Sequence, residues 1–415
     1  MQTSRPTAVL VAGEAAAPLP AMTRATTLLF ACSAGMSVAN VYYAQPLLDA
    51  LAHDFSISHA AIGAVVSATQ LGCALALLLL VPLGDLVERR RLMLVQVLAL
   101  ALVLAGVGAA QSAVMLLAAM LLTGMLGTAM TQGLIAYSAS AAADHERGQV
   151  VGATQGGVFM GLLLARVLAG GISDLAGWRS VYFCSAGAML VLAVLLWRRL
   201  PRLEASRSGM KYRSLLLSML VLLRRHRVLQ IRGVLALMMF AAFNVFWSAL
   251  VLPLSAAPYS FSHTLIGAFG LVGALGALAA TRAGSLADRG FEQQVSLTAL
   301  VLLLLGWLPL SFMNLSLWAL VIGIVLLDAG GQAIHVTNQS MILRSCPEAH
   351  SRLVGAYMLF YAAGSGLGGM ASTVRYAQAG WPGVCLLGAA ISLSALIFWA
   401  ATRRLIPGRD AGPIT

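Results

Sequence analysis

The sequence predicts an all-α membrane protein: twelve transmembrane helices in two six-helix pseudo-repeats, with both termini cytoplasmic. Three observations carry that expectation: the composition, a series of apolar runs of membrane-crossing length, and a recurrence of short motifs at a fixed offset. Of the 415 residues, 60% are hydrophobic and only 10% charged, against roughly half apolar and a quarter charged in a soluble domain. The formal charge of +12 does not read as a nucleic-acid footprint. The basic residues punctuate apolar runs of about 20 residues instead of lining one polar face. The five cysteines are scattered without CxxC spacing and read as small buried side chains.

Taken in order, the first run (24–46) has a poorly charged flank, a long apolar core and no small-residue cleavage pattern, so it reads as a span and not a removed signal. The second (60–82) leads into "VPLGDLVERRRL", where Asp85, Glu88 and Arg89 to Arg91 crowd together. Runs 92–110, 113–139, 150–173 and 178–197 complete a first set. Helices satisfy their own backbone, which a bilayer core requires. Residues 198–228 form the only long polar connection, and "YRSLLLSMLVLLRRHRV" within it patterns as an amphipathic helix at the membrane surface. Runs 229–253, 265–283, 294–312, 315–341, 353–374 and 381–402 form a second set. The organisation expected is a tail (1–22), a six-helix half (23–197), a linker (198–228), a second half (229–402) and a tail (403–415). With the N-terminus inside, 23 of the 26 basic residues fall on the cytoplasmic side. Arg179 and Arg375 fall opposite and Arg166 lies within a span, a strong orientation bias.

The two sets repeat. "SHAAIGA" from Ser58 recurs as "SHTLIGA" from Ser262, "VGA" at Val151 recurs at Val354, and "AGW" at Ala176 recurs at Ala379. Parallel six-helix repeats suit a transporter whose halves rock about a central site. Asp85 has its counterpart in Asp288, within "GSLADRG". That stretch matches the loop signature G-x-L-A-D-R-x-G-R-R at Gly284, Leu286, Ala287, Asp288, Arg289 and Gly290. The first copy keeps Leu83, Asp85 and Arg89 to Arg91, with Val81 and Glu88 where glycines are expected. On these residues the chain resembles the major facilitator superfamily over nearly its whole length. "NVYYAQPLL" and "GWRSVYF" are similar to bacterial drug/proton-antiporter-like and sugar-efflux members.

The resemblance implies the major facilitator fold, residence in a bacterial cytoplasmic (inner) membrane, and transport instead of enzymatic activity. It implies no cofactor and no metal, with a proton gradient as energy source. It also makes Asp85, Arg89, Arg90, Gly284, Asp288 and Arg289 a cytoplasmic gate motif that latches the halves and releases once per cycle. Carboxylates there suit helix N-termini, and the arginines are expected to pair with Asp144 and Glu146.

Ionisable residues within spans are costly and therefore functional candidates. Asp328 lies mid-span in "VLLDAGGQAIHVTNQ", with Gln332 and His335 following on the same helix face. Asp328 and His335 are the proton-coupling candidates. Arg166 interrupts "GLLLARVLAGG", where the family's antiporters carry a Gly-Pro, and either pairs with Asp328 or meets an anionic substrate group. Further cavity candidates are Asn40, Tyr43 and Gln45 in the first span, Gln132 and Tyr137 in the fourth, and Asn244 and Trp247 in the seventh. Small residues spaced by four, Gly157 and Gly161 in the fifth span and Gly364 and Gly368 in the eleventh, predict close helix packing, expected where the halves meet. No Walker-type phosphate loop occurs. The expected function is proton-coupled efflux of a small amphipathic molecule, its partners being that substrate and the lipid bilayer, with no nucleic acid and a monomer sufficing. Proton symport or facilitated uptake is the alternative; a membrane sensor or enzyme is a remote one.

Overall fold

The computed structural model describes residues 22–143, 145–200, 212–345 and 350–405. The tails, the first part of the linker, Asp144, and the side chains of Asp85 and Asp288 lie outside the described residues. Among the described residues all regular structure is helical. α1 (Arg24–Tyr42), capped by the Thr23 hydroxyl, continues through a 3₁₀ turn at Pro46 into α2 (Leu48–Asp54). α3 (Gly63–Leu75) passes through a π turn and then a 3₁₀ turn containing Pro82, a ring that cannot continue the α-helical ladder. α4 (Arg89–Gly108), α5 (Ala113–Ala141), α6 (Arg147–Ala176) and α7 (Trp178–Arg199) complete the first set. α8 (Tyr212–Arg225) is the amphipathic linker helix. It buries Met219, exposes Leu217 and Leu220, and is tied to the first set by Tyr212 Oη donating to Leu79 O (2.8 Å). The second set is α9 (Arg227–Ala249) with α10 (Val251–Ser255), α11 (His263–Leu286), α12 (Glu292–Leu305) with α13 (Trp307–Ser311), α14 (Leu317–Ser345) and α15 (His350–Thr402).

Among the described residues, ten helices are long and apolar enough to cross a bilayer. α11 (His263–Leu286) is 24 residues long and its described part, His263–Gly276, is apolar, while the last two expected runs continue as the single α15, interrupted at Gly380. Leu102, Leu175 and Trp318 stand fully outward on the surface, which suits an apolar solvent.

The duplicated stretches fold alike. Ser58 and Ser262 each accept a bond from the backbone N–H three residues on, both at 3.3 Å, and Ser56 and Ser260 just before them both adopt positive φ (52° and 48°). Gly177 and Gly380, the middle residues of the two "AGW" copies, have φ of 79° and 59°, a region open to glycine at little cost. Each hands over to a buried tryptophan, Trp178 or Trp381.

The small-residue stripes pack closely, though not where expected. A Cβ on Gly157 or Gly161 would collide with the carbonyls of Ala31 and Gly35 on α1, and one on Gly364 or Gly368 with those of Leu237 and Ala241 on α9. Both stripes therefore join helices of the same set. The two sets meet instead through α6 on α11 and α3 on α15. There Gly170 abuts His263 O, Gly267 abuts Arg166 O, and Gly63 lies against Gly369 O.

One end of the bundle is basic. Arg89 donates to Gly84 O (3.1 Å), to Ala136 O near the end of α5 (3.0 Å), and to Ser140 Oγ. Arg90 donates to Trp197 O near the end of α7. Cations at helix C-termini are favourable. Glu146 takes backbone donors, Met22 N (2.7 Å) and Ala143 N (3.4 Å), and not the arginine expected of it. Gly284 lies against Val336, and Arg289 is exposed beside Gly290.

Arg232, one of the 23 basic residues counted above on the cytoplasmic side, is completely buried. Its guanidinium donates to Ser296 Oγ (2.9 Å), Asn338 Oδ1 (3.3 Å) and Gln293 Oε1 (3.4 Å). Arg232→Ala is expected to lower the thermal midpoint of the detergent-solubilised protein by several degrees. Each buried polar group left unpaired costs about 1–3 kcal/mol. Arg232→Lys should recover only part, because the fork that reaches three acceptors is lost. An unchanged midpoint in the alanine variant would show the network to be dispensable.

Candidate functional site

A cavity of about 290 Å³ lies mid-bundle between the two sets. Its wall combines aromatic faces, Tyr42, Phe159, Phe240, Phe243 and Tyr361, with the amides Gln132, Gln155, Asn244 and Gln332. His335 adds an imidazole, its Nδ1 3.0 Å from Tyr357 Oη and its ring edge-on to Phe240. The described lining holds no Asp, Glu, Lys or Arg. Such a wall can stack on and hydrogen-bond an uncharged amphipathic molecule.

Above the cavity, toward the end opposite the basic one, polar groups link the sets. Tyr42 Oη and Tyr361 Oη are hydrogen-bonded across the interface. Arg166 Nε donates to Gln45 Oε1 (3.0 Å), Gln45 Nε2 to Asn244 Oδ1 (3.3 Å), and Asn244 Nδ2 to Ser365 Oγ (2.9 Å). This chain runs from α6 through the turn after α1 to α9 and α15. The Arg166 guanidinium stacks 4.2 Å over the Trp247 ring and 5.6 Å over that of Tyr42, a cation–π arrangement that partly replaces lost hydration. Gln45, Arg166 and Trp247 border a second space of about 10 Å³, room for about one water.

Asp328 is 4% exposed, and its Oδ2 has no hydrogen-bond partner. It is lodged against α11, whose glycines make the room: a Cβ on Gly273 would strike the carboxylate, and one on Gly276 its Cβ. One turn before Gly273 on the same stripe, Gly270 receives the Arg166 side chain. Arg166 and Asp328 thus share one helix face, yet no carboxylate lies within 4.0 Å of Arg166 among the described residues. The direct ion pair left open above does not form here.

Of the expected cavity residues, Gln132, Asn244 and Gln332 line the cavity, and so does the proton-coupling candidate His335. Arg166 and Trp247 border the smaller space, and Asp328 lies outside the lining of both. Asn40 does other work. Its Nδ2 donates to Met36 O (2.8 Å) and its Oδ1 accepts from Ser185 Oγ (2.6 Å), joining α1 to α7. Tyr137 is completely buried against Phe30 (ring centroids 5.6 Å apart). Tyr43 packs among apolar side chains, while its neighbour Tyr42 takes the cavity position. Helical phase with Val38 and Val41, which also face the cavity, is the signal that singles out Tyr42. Tyr361, Gln155 and the three cavity phenylalanines had no distinguishing mark among many similar residues.

A family model described as Major Facilitator Superfamily matches residues 28–313 and again 233–414. An Escherichia coli O157:H7 protein named "Uncharacterized transporter YgaY" is 40% identical over 375 residues, covering 90% of this chain and 95% of that one. A Helicobacter pylori (strain HPAG1) protein named "Probable sugar efflux transporter" is 23% identical, covering 89% of this chain and 93% of the other. Among solved structures, a bacterial homolog of the human lysosomal transporter Spinster, in an inward-facing and occupied conformation, superposes with a TM-score of 0.71. It is 14% identical and covers 92% of this chain and 95% of its own, a likeness of fold. The double match of one family model echoes the duplicated caps and turns described above. Together with the identity to YgaY over most of both sequences, it assigns the chain: it belongs to the major facilitator superfamily, whose members are membrane transporters and not enzymes.

Proposed function

We propose that the chain is a proton-coupled exporter of a small amphipathic molecule, working by alternating access as two six-helix halves, 23–197 and 229–402, rock about the cavity. Counting α11 and dividing α15 at Gly380 supports twelve crossings. The concentration of basic residues at one end supports cytoplasmic termini in a bacterial inner membrane. The hydrogen bonds described between the halves lie at the cavity's outer edge and beyond, so the conformation reads as closed outside and reaching inward. One chain holds both halves, so a monomer suffices.

The observation that carries the reading is Asp328: a buried carboxyl with an unpartnered oxygen, beside the interface of the halves and near Arg166 without a direct ion pair to it. A charge whose compensation depends on how the halves sit is tolerated in one conformation and not another, so proton occupancy and conformation become linked. The uncharged, aromatic and amide wall supports an amphipathic substrate. The name of the Helicobacter pylori relative supports efflux.

The test uses everted membrane vesicles from cells with and without the chain, a panel of labelled sugars and amphipathic compounds, and an imposed pH gradient. Accumulation that needs both the chain and the gradient, and collapses with a protonophore, is expected. Accumulation in right-side-out vesicles instead would make the protein an importer. Transport indifferent to the protonophore would remove the proton from the mechanism.

A further inference from the structure

At the outer end three segments far apart in sequence meet on one imidazole. His263, the first residue of α11, places Nδ1 3.0 Å from Asp174 Oδ1 on α6 and Nε2 3.0 Å from Asp49 Oδ1 on α2. Asp174 also caps α11, accepting from His263 N (3.1 Å), Thr264 N (2.8 Å) and Thr264 Oγ1 (2.6 Å). The cluster joins the first set to the second where the outer side closes. It lies at the rim, ahead of the apolar run 265–283, with the His263 side chain 23% exposed.

Hydrogen-bond chemistry decides the protonation state of this ring. Carboxylates only accept, and a neutral imidazole donates from one nitrogen. With both nitrogens on carboxylate oxygens, only the imidazolium makes both bonds, and each is then charge-assisted. A neutral ring would turn a lone pair toward one of the two acids. The duplicated motif supplies a contrast: His59, at the matching place in "SHAAIGA", is exposed and makes no hydrogen bond described here. The clamp is built in one copy only.

We propose that His263 is a proton-binding site of the transport cycle, loaded from the outer side of the membrane, whose occupancy drives closure of that side. When α11 stands away from α2 and α6, the ring is a free imidazole in contact with outside water. A proton taken from that water makes it a cation that draws Asp49 and Asp174 onto α11, closing the outer contact. Reopening separates the three groups and returns the proton to the outside. This deepens the alternating-access reading above and depends neither on Asp328 nor on the direction of transport.

The closed geometry is consistent with that cycle. The hydrogen bond to Asp49, opposed by partial burial and reinforced by Asp174, raises His263 from 6.5 to about 9. A value raised in the closed state favours closure below the open-state value, and that contribution is lost as pH rises through about 9. No further ion pair forms at the cluster among the described residues, and His53, one turn from Asp49 on α2, is exposed. Among the elements packed on α11, α6 also brings Arg166, deeper beside Gly270, and α14 brings Asp328 beside Gly273. α12 brings Glu292 at the opposite end, and α10 brings no charge. Asp54 on α2 is engaged by Arg179 and Trp178.

The experiment is hydrogen exchange of the full-length protein in proteoliposomes, followed in peptides covering 170–180 and 256–268. It is read at intervals from about pH 6 to about pH 10 and corrected for intrinsic exchange rates. Wild-type protein is expected to lose about ten-fold in protection across that range. His263→Gln should be equally unprotected throughout. Asp49→Asn, which keeps the cap on α11 intact, should move the midpoint down by about one unit or more toward the ordinary histidine value. A pH-dependent loss that survives in His263→Gln, or a midpoint unmoved in Asp49→Asn, overturns the proposal. Asp328→Asn separates the two readings: it should keep the wild-type response of these peptides even as gradient-driven transport fails.

Discussion

Asp328→Asn is expected to reduce gradient-driven accumulation about a hundred-fold while energy-independent exchange of substrate across the membrane continues. Asparagine has the shape of the acid, so the recess that Gly273 and Gly276 provide on α11 accepts it and the helices keep their places. What disappears is a side chain whose charge depends on a proton. On insertion scales a charge at the centre of a span costs about 3 kcal/mol. At 1.4 kcal/mol per ten-fold, that biases an equilibrium between conformations by roughly two orders of magnitude. With a permanently neutral residue the bias no longer answers to the gradient, and the carrier equilibrates substrate without concentrating it. Counterflow in proteoliposomes, measured beside pH-driven uptake, distinguishes the two activities. Intact accumulation in the variant would place the coupling proton elsewhere.

Gly267→Val should have the second largest effect, through the opposite kind of change. Gly267 lies where α11 crosses α6, and any Cβ there collides with the Arg166 carbonyl. Overpacking of this sort costs about 1–3 kcal/mol, and here it is incurred only while the outer side is closed. The variant should therefore favour the outward-open state by about 5–150-fold, with transport lost and thermal stability little altered. Cys73 lines the cavity and is a free thiol, so it reports the change without an engineered probe. A membrane-impermeant maleimide added outside intact cells should modify Cys73 in the variant and spare it in the wild type, as read by peptide mass. Gly187→Ala, where a Cβ meets nothing within 4 Å, should behave as wild type. Equal labelling in all three would mean that this crossing does not hold the outer side shut.

Local devices are legible in the sequence, and long-range meetings are not. Capping serines and turn glycines act within a few residues, so the "SHxxIGA" and "AGW" copies announce a duplication that the backbone then repeats. A charge inside an apolar run is equally plain, which is why Asp328 and Arg166 stand out from composition alone. What each touches depends on the helix opposite. The glycine face of α11 that separates the two cannot be read from either one's own neighbourhood. Tyr42 and Tyr43 are adjacent and alike, and only the rotation of α1 sends one to the cavity and the other to the core. Arg232, near the start of a span, reads in sequence as one more cytoplasmic-side anchor, because its acceptors on α12 and α14 lie 61 to 106 residues away. His263 is the extreme case. Its partners are 89 and 214 residues distant, and in sequence it is merely a polar residue at the start of a helix.

With Asp328 as the coupling site proposed above, the pair at the glycine stripe also makes transport depend on voltage. Arg166 keeps its charge, so the centre of the bundle carries about one positive charge when Asp328 holds a proton and about none when it does not. An elementary charge crossing the full membrane potential gains about 2.3 kcal/mol per 100 mV. An inside-negative potential therefore pulls the proton-loaded centre toward the cytoplasm and leaves the empty one indifferent. Respiring cells would then drive this carrier electrically even where the external and internal pH are equal.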